Sequence, residues 1–329
     1  GMDRNTFTGL FLILIILVGS TFLMQPSDED IKREKAKQSQ DSIARVNKTE
    51  SPVIIQDTTK NVALPAIDST LIKSGPFGSA QSGSNEPIVL ENELLKVKIS
   101  PQGGRIASVE LKKFKTYKKL PLIMFEGQGN RFGLIFGAAG KNISTNDLYF
   151  QPLGTSVSVA KNDSVSLTMR LNYSEGKFID YIYSLAGDSY NVGLTIATKG
   201  MQDVVTPTQK NLTLNWETIL KQKEKDLASE QRYSSTYFKQ GDESVDYLSL
   251  TESETKAISE GKIKWFSFKQ HFFSNVLIAK NSFDKGELIV NTSLDSNTVK
   301  SFAANMQIPF ERQDVTSYPM KFYFGPNQL

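Results

Sequence analysis

The sequence contains no cysteine and a single histidine among its 329 residues. Without cysteine there can be no disulfide, no thiolate metal site and no cysteine nucleophile. One histidine cannot form an H-x-x-x-H or H-E-x-x-H zinc motif, and no G-x-S-x-G nucleophile elbow is present. The glycine-rich stretch 75–83 lacks the G-K-[ST] ending of a phosphate-binding loop. We therefore expect no catalytic residue, no metal ligand and no cofactor.

Neither sign of charge predominates, since the chain has 38 lysines and arginines and 35 acidic residues, a net charge of +3. No basic patch interleaved with aromatic residues is visible, so we expect no nucleic-acid partner. Hydrophobic residues make up 39% of the chain, which at this length is enough for one large or two ordinary buried cores.

One long uncharged run is present, the 18 residues Phe7–Met24. As a helix it would be about 27 Å long, close to the roughly 30 Å of a bilayer core. Gly1 before Met2 is typical of a residue left by tag removal, and residues 1–6 are expected to be cytoplasmic. A cleaved signal peptide ending near Ser20 is the alternative. The apolar run continues to Met24, which favours a retained transmembrane helix over 7–24 and hence the lipid bilayer as a partner.

The residues after this run are polar and of mixed charge, then rich in Ser, Thr, Asn, Gly and Pro. They carry too little apolar surface to offset the entropy of ordering, so we interpret 25–86 as a flexible tether. Basic residues occur on both sides of the apolar run, and long domains cross membranes largely regardless of flanking charge. The charge distribution alone therefore leaves the topology open.

Residues 87–329 consist of short segments that alternate apolar and polar residues with period two, as half-buried strands do. Turn residues separate them at 101–104, 174–177, 186–189 and 283–286. So many strands predict an all-β domain of two large antiparallel sheets packed face to face. The clearest candidate strands are Leu94–Ser100, Ser164–Tyr173, Phe178–Leu185, Tyr190–Thr198, Asn211–Leu220 and Gly286–Leu294.

One helix is predicted within this region, over Leu250–Gly261, where Thr251 begins an N-cap-like sequence and Gly261 provides a stop. We expect it to be a surface excursion between strands.

The stretch "WFSFKQHFFSN", 265–275, holds the only histidine among five aromatic residues. Period two places Trp265, Ser267, Lys269 and His271 on one face and Phe266, Phe268, Gln270 and Phe272 on the other. The favoured interpretation is a buried strand in which Phe272 and Phe273 fill the core and His271 makes an ordinary hydrogen bond near an edge. The alternative is a cleft wall or partner surface formed by Trp265, Lys269 and His271.

The segment Met2–Ser27 opens with Met-Asp-Arg-Asn and leads into the uncharged run, and Leu90–Phe114 has its turn at Gly103-Gly104. These two segments resemble the start with the first transmembrane helix, and the first strands, of the bacterial membrane protein insertase family YidC. Phe322–Gln328 resembles the strand and Gly-Pro that close its periplasmic domain. The family's Trp-x-x-x-[Lys/Leu]-Gln-x-[Phe/Tyr]-Phe segment is matched by Trp265, Lys269, Gln270, Phe272 and Phe273.

The resemblance implies a β-supersandwich similar to galactose mutarotases, placed in the periplasm and held at the inner membrane by a single span. It implies a non-enzymatic interaction or scaffold role, with Sec translocon components and nascent membrane proteins as partners. The family's insertase core of five helices follows the position of Gly325-Pro326, so we expect none of its residues in this chain.

Two other functions are compatible with parts of the sequence. A carbohydrate-binding or mutarotase-like module shares the implied fold, although sugar acid–base chemistry normally uses histidine and this chain has one. A periplasmic adaptor of a secretion system should show a long heptad-patterned hairpin after its anchor, and the sequence has none.

Overall fold

The computed structural model describes residues 75–292 and 295–327. The predicted span Phe7–Met24 and most of the predicted tether lie outside the described residues. No helix within the described part of the chain combines the length and apolarity that crossing a bilayer requires.

The described residues form twenty strands and one α-helix, α1, over Leu227–Arg232. Short 3-10 turns occupy Gly78–Ala80, Thr145–Asp147 and Met201–Asp203. The strands are β1 Ile88–Glu91, β2 Leu95–Ile99, β3 Ile106–Lys115, β4 Pro121–Ile123, β5 Arg131–Ala138, β6 Lys141–Ser144, β7 Gln151–Pro152, β8 Val157–Ser158, β9 Ser164–Ser174, β10 Lys177–Ala186, β11 Asn191–Lys199, β12 Asn211–Lys221, β13 Ser235–Gln240, β14 Asp246–Tyr247, β15 Glu254–Ile258, β16 Ile263–Gln270, β17 Phe273–Phe283, β18 Gly286–Thr292, β19 Thr298–Pro309 and β20 Val315–Pro326.

These strands form three sheets. A nine-stranded sheet has the order β14-β13-β16-β17-β20-β11-β10-β9-β7, a six-stranded sheet the order β15-β18-β19-β12-β5-β6, and a five-stranded sheet the order β4-β3-β2-β1-β8. All strand pairs are antiparallel except β1 with β8. The predicted all-β supersandwich is confirmed, with the strands opposite the nine-stranded sheet divided between two sheets.

Aromatic contacts show how the sheets pack. Trp216 on β12 of the six-stranded sheet meets Phe268 on β16, with ring centroids 4.7 Å apart, and Phe322 on β20 at 5.2 Å. Phe114 on β3 of the five-stranded sheet meets Phe273 on β17 at 5.2 Å. The smaller sheets therefore both cover the inner face of the nine-stranded sheet, and these rings form its core.

All six candidate strands are found, and the predicted turns at 101–104, 174–177 and 186–189 reverse the chain between paired strands. The predicted hairpin turn at 283–286 is wrong, because the chain passes there from β17 of the nine-stranded sheet to β18 of the six-stranded sheet. The turn at 101–104 shows why glycine is needed, because Gly104 has φ +59° and an added Cβ would lie 2.5 Å from the Phe150 ring. Its carbonyl accepts a hydrogen bond from the buried Tyr183 hydroxyl at 2.7 Å, which joins the turn to the nine-stranded sheet.

The predicted helix over Leu250–Gly261 is wrong. The segment contains β15, an edge strand that pairs with β18 and buries Ile258. Pairing with a neighbouring strand overrides a local helical preference that rests on capping residues alone. The helix that does form, α1, begins at Asp226, whose carboxylate accepts from the Ser229 backbone N–H at 3.2 Å.

The last residues of the predicted tether belong to the packed domain. Phe77 is fully buried and contacts Phe136 at 6.0 Å and Tyr173 at 5.1 Å. An isolated phenylalanine in a Gly- and Ser-rich stretch gives no periodic signal, but its ring fills a gap in the core.

Candidate functional site

The outer face of β16 is the starting point of the candidate site. Phe266, Phe268 and Gln270 point inward and are fully buried. Trp265, Ser267 and Lys269 point to the opposite face, as the period-two pattern predicts. The structure brings the three predicted surface residues Trp265, Lys269 and His271 to one groove.

This groove, which we call the outer groove, has a volume of about 1020 Å³. Strands β17 and β20 extend it beside β16, because Phe273–Ala279 pairs with both neighbours. Outward-facing Val276 and Ile278 give it an apolar floor. The outer groove is lined by Asn191, Tyr237, Trp265, Ser267, Lys269, His271, Phe272, Ser274, Val276, Ile278, Lys321, Tyr323, Pro326 and Asn327.

The charge of the outer groove is positive. Lys269 lies over the Tyr237 ring with its Nζ 4.9 Å from the centroid, and exposed Lys321 stands on β20. No aspartate or glutamate is among the described residues that line it. The Ser267 hydroxyl is buried and has no hydrogen-bond partner within the described chain. The groove thus offers apolar area and two cations.

The hairpin loop at one end of the groove corrects the prediction for Phe272. Strand β16 ends at Gln270 and β17 begins at Phe273, so His271 and Phe272 form a two-residue loop. His271 takes the positive φ of 39° that such tight loops require at a central position. The alternation ends here, and Phe272 is 55% exposed while Phe273 is 8% exposed. Phe273 is a core residue as predicted, but Phe272 is not.

His271 makes the ordinary hydrogen bond that the sequence suggested, but with a partner that the sequence could not identify. Its Nδ1 lies 2.8 Å from a carboxylate oxygen of Glu224, and its ring stacks on Tyr233 with centroids 5.0 Å apart. The Phe272 ring stacks on the other side at 3.9 Å. Glu224 and Tyr233 are about 40 residues from His271 in sequence and belong to no recognisable motif, so no sequence signal identifies them.

A buried ionic cluster supports the same hairpin from below. The Lys223 ammonium donates to Gln270 Oε1 at 2.7 Å and to the Met124 carbonyl at 3.2 Å. Gln270 Nε2 in turn donates to Glu230 Oε1 at 2.6 Å. Glu230 is on α1 and also accepts from the Lys223 backbone N–H at 3.1 Å. The cluster Lys223–Gln270–Glu230 therefore ties the end of β16 to the segment 221–232.

Burial sets the electrostatics of this cluster. It lowers the pKa of Lys223 to about 8, against the attraction of Glu230. It raises the pKa of Glu230, against hydrogen bonds donated by the Lys223 and Glu224 backbone. The opposite charges of Lys223 and Glu230 therefore stabilise each other against burial, and removing one of them leaves the other buried with less compensation. Within the described residues, no group of three or more histidine or acidic side chains is placed to hold a metal ion.

Comparison with known proteins agrees with this architecture. Residues 87–329 match the family model described as the YidC periplasmic domain. The membrane protein insertase YidC of Parabacteroides distasonis is 32% identical over 339 residues, which cover 100% of this chain and 52% of that protein. The YidC of Phocaeicola vulgatus is 33% identical, with 100% and 51% covered. The chain thus spans about half the length of these curated relatives.

A solved structure is similar in fold. The Slr1438 protein of Synechocystis sp. PCC 6803 superposes with a TM-score of 0.50 at 10% sequence identity, covering 75% of this chain and 98% of that one. At this identity the similarity concerns the fold alone. Taken with the family match over 87–329, these findings show that the chain belongs to the YidC periplasmic domain family.

Proposed function

We propose that this chain is the periplasmic part of a membrane protein insertase in the bacterial inner membrane. In this proposal Phe7–Met24 is a single retained span, the residues after it are a tether, and the β domain lies in the periplasm. The uncharged run and the family membership support it. Mass spectrometry of the mature protein from its native membrane tests the anchor. A mature N-terminus near Ser20 would contradict it.

The outer groove is the contact surface in this proposal, and its occupant is an extended periplasmic segment of a protein undergoing insertion. A sheet face that no described residue of its own chain covers is normally polar, whereas this one presents Trp265, Val276 and Ile278. This apolar outer face is the observation that carries the proposal. Lys269 and Lys321, with no lining carboxylate among the described residues, favour a neutral or acidic segment.

The groove acts by binding and not by catalysis in this proposal. Sugar mutarotation needs a general acid and a general base placed on either side of the ring. His271 is engaged at Nδ1 by Glu224. No carboxylate of the described chain lines the groove to work opposite it. Optical rotation of α-D-glucose or α-D-galactose with the chain should therefore decay at the buffer rate. Accelerated decay that is lost in His271→Ala would contradict the proposal.

Site-specific crosslinking tests the contact directly, because the chain has no cysteine to remove. A photoreactive maleimide is attached at Lys269→Cys in the groove and, as a matched control, at Lys141→Cys on the exposed start of β6. The crosslinking is carried out in inner membranes with ribosomes that are translating a membrane protein. There Lys269→Cys should crosslink to the nascent chain and Lys141→Cys should not.

The identity of the crosslinked partner decides between the two partners implied by family resemblance. A nascent chain crosslinked from Lys269→Cys supports the proposed occupant. A Sec translocon component crosslinked there instead would contradict the occupant while retaining the groove as a contact surface. Equal crosslinking from both positions would show no preference for the groove and would contradict the proposed site.

A further inference from the structure

A second pocket, separate from the outer groove, lies between α1, the turn at Leu250 and Thr251, and the adjoining ends of β18 and β19. Its volume is about 250 Å³. Lys300 on β19 and Arg232 on α1 both line it, together with Thr251 and Thr292. No aspartate or glutamate is among the described residues that do so.

Lys300 is an unusual buried cation. Its side chain belongs to a residue that is only 1% exposed, and its ammonium donates to the carbonyls of Ser234 and Leu250, the latter at 2.8 Å. An ammonium has three N–H donors, and these two acceptors are neutral. Among the described residues no carboxylate lies within ion-pair distance of Lys300, whereas buried Lys223 is close enough to buried Glu230 to be attracted by it.

This difference has an energetic consequence. A buried charge that lacks a counter-charge is costly, and carbonyl dipoles offset only part of that cost. Burial lowers the pKa of Lys300 to about 8, so the group keeps most of its proton at neutral pH. Exposed Arg232 adds a second positive charge at the same pocket. The pocket therefore holds two positive charges and no carboxylate among its described lining residues, although Asp226 is close enough to Arg232 to interact with it.

We propose that this pocket binds a small oxyanion, either a phosphate or a carboxylate group, with Lys300 and Arg232 as its cationic partners. The Lys300 ammonium has an N–H left for a ligand oxygen, and the Arg232 guanidinium can donate two parallel hydrogen bonds to an oxyanion. The Thr251 and Thr292 hydroxyls are further donors on the wall. This site is independent of the outer groove and of its proposed function.

Calorimetric titration of the 329-residue chain with inorganic phosphate, at constant ionic strength, tests the proposal. Lys300→Met removes the buried cation. Arg232→Gln removes the exposed one, and Ala228→Trp fills the pocket from the exposed face of α1. Lys285→Met, at an exposed lysine in the β17–β18 turn, is the matched control for lost charge. Phosphate acting as a general salt should affect all these chains equally, so a difference between them reports on the pocket.

We expect the parent and Lys285→Met to bind phosphate equally, Arg232→Gln to bind at least tenfold more weakly, and Ala228→Trp to show no binding. Lys300→Met should also lose binding. Because Arg232 and Ala228 are exposed, their variants keep the test valid even if Lys300→Met fails to fold. Ala228→Trp binding phosphate as the parent does would overturn the proposal.

Acetate titrated in parallel distinguishes the source of the oxyanion. Binding of acetate but not phosphate would support the site with a carboxylate ligand, such as a polypeptide side chain or C-terminus. Binding of phosphate but not acetate would support it with a phosphate ligand. The absence of heat from both ions with the parent chain would overturn it.

Discussion

The two faces of the nine-stranded sheet differ in composition and in what covers them. On the inner face, Phe268 and Leu277 are fully buried beneath the six- and five-stranded sheets. On the outer face of the same strands, Trp265 and Ile278 are half-buried and line an open groove. Apolar residues on both faces of a strand are typical of sheets covered on both sides. Around Trp265, Val276 and Ile278 the outer face therefore has apolar residues typical of a covered surface, without a cover from its own described chain.

The largest expected effect is on the inner face. Phe268→Ala removes a ring that contacts Trp216 at 4.7 Å and Phe302 at 5.3 Å, so it should lower the free energy of unfolding by about 3 to 5 kcal/mol. Denaturant unfolding at constant slope measures this. A loss below about 1 kcal/mol would show that the two faces do not differ in packing.

The buried cluster that supports the groove hairpin should be nearly as sensitive. Lys223→Met leaves Glu230 without its buried cation and should cost about 3 to 5 kcal/mol. Combining Lys223→Met with Glu230→Gln removes both charges and should recover most of that loss. The unfolding free energies of the parent, Lys223→Met, Glu230→Gln and the double variant form a double-variant cycle, which measures the coupling. Additive losses would show that Lys223 and Glu230 do not depend on each other.

Phe272 and Phe273 are adjacent in sequence but lie in different environments, the first at the exposed hairpin loop and the second in the core. Phe273→Ala should cost about 3 kcal/mol because the ring packs on Phe114 in the core. Phe272→Ala should cost less than about 1 kcal/mol because the ring is 55% exposed at the hairpin loop. A larger loss for Phe272→Ala than for Phe273→Ala would mean that the strand alternation continues through His271 and would contradict the loop.

A smaller effect concerns the pH dependence of stability. The folded pKa of Lys300 is about 8 and its ordinary value is 10.5. Between these values the unfolded chain binds a proton that the folded chain does not, so the free energy of unfolding rises with pH across this window. Lys300→Met should remove that part of the rise, since Lys223 is present in both chains. Unfolding midpoints at pH 8, 9 and 10 measure it, and an unchanged slope would contradict the shift.

Period two in the sequence predicted the strands and placed Trp265 and Lys269 on one face because side-chain direction follows directly from alternation. It failed at Phe272 because the positive φ of His271 ends the alternation, and the residues of 265–275 show no turn signal there. It also could not find the contacts of His271 with Glu224 or of Gln270 with Glu230, since long-range pairs of polar residues leave no local pattern. The predicted helix over 250–261 is wrong for a related reason. A long-range contact, the pairing of this segment with β18, decides its conformation.

In the proposed function, the outer face of β16 serves contact with a partner and not the stability of the domain. Trp265→Ser combined with Lys269→Ser changes only groove-lining side chains, so we expect a loss of unfolding free energy of about 1 kcal/mol or less. The decisive measurement is membrane-protein insertion in cells that depend on the full-length insertase carrying this double variant, with its cellular amount verified. We expect insertion to fall to less than about half at a normal amount of protein, because the loss of a few kcal/mol of contact energy is ample for this. Normal insertion by a normally stable double variant would contradict it.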